Sequence, residues 1–103
     1  MISRIWRGWT APSKADAYER LLRERILPGI AAKGVPGYHG AHVLRKEGEF
    51  EVEFVTIMWL DSMEDVVAFA GSDYEVAYVP EEARAVLARF DQTSQHYEVR
   101  QAP

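Results

Sequence analysis

The side chains with most chemical reach in this chain are His42 and Arg4, set among aromatic residues. An imidazole takes up a proton near neutral pH, and a guanidinium holds an anion. Trp6, Trp59, Phe69 and Tyr74 could wall a dry pocket for a flat apolar molecule. Together these groups could make or hold an anion in such a pocket, with His42 as base and Arg4 as anion partner. Each also has a plainer reading. Trp6 and Trp59 could be core or interface residues, and Phe69 a core residue. Tyr74 and Tyr78 could pack over the end of a sheet, His42 could sit at a wet strand edge, and His96 could belong to a partly exposed strand.

Other chemistries fail on spacing. His39 and His42 form H-x-x-H on an extended segment, where residues three apart face opposite sides, so they cannot share one metal ion. "GIAAKGVP", from Gly29 to Pro36, has the glycine spacing of a phosphate loop. It lacks the Lys-Ser/Thr pair and closes a helix instead of opening one. No H-E-x-x-H and no paired-carboxylate motif is present, and no metal site or bound cofactor is expected. The net charge of −4 and scattered arginines argue against a nucleic-acid partner. No apolar run approaches a membrane span, and no secretion leader is visible. The absence of cysteine excludes disulfides and fits a cytoplasmic location.

The elements that must position these residues follow from periodicity. "ISRIWRGWT", Ile2 to Thr10, reads as a first strand. Ser13 with Asp16 suggests a helix N-cap, and Tyr18, Leu22, Ile26 and Ile30 form one stripe. Pro28 is expected to kink that helix and Gly34 to end it. Strands follow at Tyr38 to Lys46, where His42 shares a face with Tyr38 and Leu44, and through "FVTIMWL", with "KEGE" as the hairpin turn. Ser62 with Asp65 caps a short helix ended by Gly71, and Asp73 to Ala77 suggests one more turn. Ala83, Val86, Leu87 and Phe90 predict another amphipathic helix opened by Pro80. "DQTSQHYEVR" supplies a last strand.

Residues 1–103 thus read as one α+β domain, ordered β-α-β-β-α-β. This is a ferredoxin-like four-stranded antiparallel sheet with helices on one face. Yet the first and third strands are apolar on both faces. Ile5, Trp9, Val55, Ile57 and Trp59 point away from the helices. A second copy of the chain, packed sheet to sheet, is the expected cover, giving a homodimer. The alternative cover is the chain's own C-terminal tail.

With these elements in place, the chain resembles the antibiotic biosynthesis monooxygenase family of dimeric α+β barrels. The resemblance rests on "RGWTAPSKADAYERLL", on "VTIMWLDSMEDVVAFAGSDYEVA" and on the closing "HYEV", and spans nearly the whole sequence. It implies a cofactor-independent monooxygenase acting on a small phenol- or hydroquinone-like metabolite, or a non-catalytic dimer that binds such a molecule. Haem-degrading relatives use an Asn on the first strand, a Trp on the second helix and an axial His after it. Trp6, Phe69 and Val79 stand at the matching positions, and Val79 has no lone pair for iron.

Overall fold

Side-chain alternation gives the central strands their two faces. In the computed structural model, which describes residues 1–103, β1 (Ile2–Thr10) pairs antiparallel with β3 (Val52–Leu60) along its whole length. Direct partners share a face. Arg4 opposite Met58, Trp6 opposite Thr56 and Gly8 opposite Phe54 face the helices, whereas Ser3 opposite Trp59 and Ile5 opposite Ile57 face away. The helix-facing core joins Val52 and Phe54 to Ala15, Tyr18, Leu22, Val79 and Ala83. Tyr18 meets Phe54 edge to face, with ring centroids 4.9 Å apart.

Strand β2 (Tyr38–Glu47) flanks β3, and the hairpin closes where the Gly48 amide donates to the Glu51 carbonyl. The sheet holds five strands, not four. β4 (Arg89–Phe90) and β5 (Gln95–Glu98) pair with opposite ends of β1, so the expected last strand is split in two. The split arises because residues 92–94 turn away to pair with residues 75–77. Ala77 donates to the Gln92 carbonyl and Ser94 to the Glu75 carbonyl. The lane order β2-β3-β1 with β4 and β5 beyond, helices on one side, is the ferredoxin-like arrangement.

The first helical stretch departs from expectation twice. Ser13 does not cap it but lies inside a 3-10 turn, Pro12–Lys14, which leads into α1 (Ala15–Leu21). The break expected at Pro28 takes the form of a widened turn just before it. A π-helical segment, Leu22–Ile26, precedes α2 (Leu27–Ala31), and the Leu27 amide reaches back to the Leu22 carbonyl. The wider turn accommodates a residue that cannot donate a backbone hydrogen bond. The cap at Ser62 forms as expected. Its hydroxyl accepts from the Asp65 amide at 3.3 Å, opening α3 (Met63–Ala70), which Gly71 ends at φ 88°.

The expected helix from Pro80 to Phe90 is only α4 (Glu81–Arg84). Phe90 leaves it to pair with Gly8 and pack against Trp6 at 6.2 Å. A second correction concerns β2. Tyr38 pairs with Leu60 and Ala41 with Met58, so one extra residue is accommodated between them at a bulge, where Gly40 has φ 101°. Tyr38 therefore faces the helices, and His42, opposite Ile57, faces away.

Candidate functional site

Beneath α1, the π-helical segment and α2 lies a cavity of about 50 Å³ against the helix-facing side of the sheet. Leu22, Ile26, Leu27, Ile30 and Met58 make most of its wall apolar, and Tyr78, Val79 and Pro80 close one side. Trp6 lies along it with its indole N–H donating to the Asp91 carbonyl at 2.8 Å. Gly8 permits this placement, since a Cβ there would come within 2.9 Å of the Trp6 ring. The space holds a few waters in this closed form. Cavities that take benzene are nearer ~150 Å³, so an aromatic ligand must part the walls. Tyr78, on the segment between α3 and α4, is 62% exposed, with the Lys33 ammonium 5.1 Å from its ring centre.

Arg4 is the one charged residue lining the cavity, and it is 4% exposed. No carboxylate pairs with it. Its Nη1 donates to the Tyr74 carbonyl and to His96 Nε2 at 2.9 Å, and its guanidinium lies 5.6 Å from the Phe69 ring centre. The Nε and Nη2 hydrogens donate to no protein group. Burial pulls the Arg4 pKa down from its ordinary value, though arginine remains cationic at neutral pH. A buried, uncompensated cation costs stability unless something anionic completes it.

His96 sits directly across from Arg4 on β5. Because a guanidinium only donates, His96 Nε2 must accept, and the imidazole is neutral with its proton on Nδ1. Burial, and then the Arg4 charge, lowers the His96 pKa from its ordinary 6.5, with Glu75 opposing. In acid the unfolded chain therefore binds this proton more readily than the folded one. The stability this confers is complete above pH 6.5 and is lost as pH falls through the folded value. Thermal melts of the wild type should drop between pH 7 and pH 5. His96→Gln, whose amide oxygen still accepts from Arg4, should flatten that fall. An unchanged slope in the variant would remove His96 from this role.

The six sequence-predicted site residues separate into two groups. Arg4, Trp6 and Phe69 line the cavity, and Tyr74 joins them through its carbonyl and through a ring set edge-on to His96 at 5.3 Å. His42 and Trp59 lie on the far side of the sheet. There the Trp59 indole N–H donates to His42 Nδ1 at 2.8 Å. His42 thus does not meet Arg4 across one ligand, because the register aligns His42 with Ile57 and Ile5, and Arg4 with Met58, on opposite faces of the sheet. Sequence reading missed Thr56 and Tyr18 as cavity residues and His96 as the partner of Arg4. The register that sets His96 against Arg4 has no local signal, whereas Thr56 stands out as the one polar residue of the stretch "FVTIMWL".

No family model matches the chain, and no curated protein does. Solved structures do. A protein of Chloroflexus aurantiacus J-10-fl described as a candidate antibiotic biosynthesis monooxygenase superposes with a TM-score of 0.61 at 19% identity, covering 99% of this chain and 95% of its own. A Bacillus cereus protein described in the same terms superposes at 0.62 with 17% identity, over 99% of this chain and 93% of its own. At these identities the neighbours show the fold, and the chain has their α+β architecture.

Proposed function

We propose that this protein binds a small aromatic oxyanion against Arg4 and lets it react with dioxygen, as a cofactor-independent monooxygenase. The observation that carries the reading is the buried guanidinium with no carboxylate partner and two unused donor positions, set in an apolar cavity. A phenol entering as its anion completes the charge and accepts the fork of N–H groups. In the dry cavity that interaction favours ionisation of the bound phenol. His96 positions Arg4 and has its lone pair occupied, so the proton leaves to solvent as the anion binds.

The reaction then needs no redox group from the protein. The phenolate passes one electron to dioxygen, the two radicals join at a ring carbon, the peroxide anion takes a proton back from solvent, and the hydroperoxide loses water with the hydrogen of that carbon. One phenol and one dioxygen give one quinone and one water. The test is oxygen uptake with phenols of increasing electron richness, read beside quinone absorbance. Uptake and quinone in equal amounts are expected. Binding without uptake by any of them would sink the oxygenase reading and leave a carrier of the same anions.

The same reading includes a homodimer formed through the face of the sheet that bears Ile5, Trp9, Val55, Ile57 and Trp59. No helix covers that face, and these residues are only half-buried in the single chain. No helix of the protein is long and apolar enough to cross a membrane.

A further inference from the structure

Thr56 stands in the middle of β3, between Trp6 on one neighbouring strand and Val43 on the other. It is 4% exposed and lines the cavity, yet its Oγ1 has no hydrogen-bond partner. Burying a hydroxyl unpaired is unfavourable, and such groups in native proteins call for an explanation. The hydroxyls of Tyr18 and Ser94, which line the same cavity, also bond to no protein group. Valine would fill the Thr56 position with the same shape and the same strand preference. On packing grounds alone, a threonine here is the worse choice.

Arg4 and Thr56 lie on the same face of neighbouring strands, diagonally placed, since Arg4 is opposite Met58 and Thr56 opposite Trp6. Diagonal positions of this kind are roughly 7–8 Å apart at the backbone, near enough for both side chains to reach one six-membered ring that carries two oxygens. We propose that the Thr56 hydroxyl recognises a second oxygen on the ligand, so that the site takes a dioxygenated single ring in preference to a simple phenol. This rests on the oxyanion reading of Arg4. Tyr18, kept protonated by burial, adds a second neutral hydroxyl from the helix side.

Thr10 provides an internal control. It is fully buried on the same face of β1, its Oγ1 is equally unpaired, and it is no part of the cavity lining. The experiment is an anaerobic titration of phenol, catechol, resorcinol and hydroquinone into the wild type, Thr56→Val and Thr10→Val, with a thermal melt of each. At least one diol should bind the wild type about three- to tenfold tighter than phenol, the increment of one added hydrogen bond. Thr56→Val should erase that preference while leaving phenol affinity unchanged. Both valine variants should melt at or above the wild-type temperature, because each removes an unpaired buried hydroxyl. Thr10→Val should keep the diol preference. A preference that survives Thr56→Val would overturn the proposal, as would a wild type that binds all four ligands equally. Failure of every ligand to bind would instead sink the Arg4 reading beneath it.

Discussion

Replacing Arg4 with methionine is expected to remove phenolate binding and leave the fold standing. The guanidinium is almost completely buried and has no ion-pair partner to strand. Putting an apolar chain of similar length in place of a buried charge is often neutral or stabilising. What is lost is the charge-assisted fork that a bound oxyanion would accept. Hydrogen bonds to charged groups are worth about 1.5–3 kcal/mol each, so losing a fork of two should lower affinity for a phenolate by roughly 10²- to 10⁴-fold. Arg4→Lys keeps the charge but not the planar fork, and its affinity should lie between the two. Titration at a pH where the free phenol is partly ionised, beside a thermal melt, measures both halves of the claim. If Arg4→Met binds phenolate as the wild type does, Arg4 is a structural residue and the cavity has no anion site. If the variant fails to fold, the lysine variant still decides, since it retains the buried cation.

Much of this fold was legible because alternation and caps are local signals. The two faces of β1 and β3, the Ser62 cap and the glycine stop at Gly71 all appear where the residue types put them. The failures have tertiary causes. Phe90 has the spacing of a helical residue, but Gly8 leaves room beside Trp6 and draws Phe90 into the sheet. The periodicity around Leu22 does not show that the helix widens there, because only the absent N–H of Pro28 hints at it.

The site was half legible for the same reason. Arg4 and Trp6 share a strand, so their common face follows from counting. His42 was grouped with them by chemistry alone, and the bulge at Gly40 fixes its face independently of Tyr38. His96 lies 92 residues from Arg4 along the chain, and only the β1–β5 register brings the two together. A pairing at that separation leaves no pattern in a single sequence.

Ile57→Asp tests the other side of the sheet, and its effect should be the largest of all. Ile57 lies between Ile5 on β1 and His42 on β2, in the middle of the face that no helix covers. Trp59 and Val55 flank it on the same side of β3. If a second copy covers this face, an interface of the usual size would bury roughly 800 Å² on each partner. The new carboxylate would then be desolvated on both sides of a two-fold contact. Leaving a buried charge unpaired costs about 3–5 kcal/mol, and symmetry applies that cost twice. Light scattering should give twice 11.7 kDa for the wild type at micromolar concentrations. The variant should give a monomer, or an unfolded chain if the protomer cannot stand alone. A circular dichroism melt separates those two outcomes. Should the wild type itself scatter as a monomer, this face stays half-exposed to water, and Ile57→Asp would then cost little.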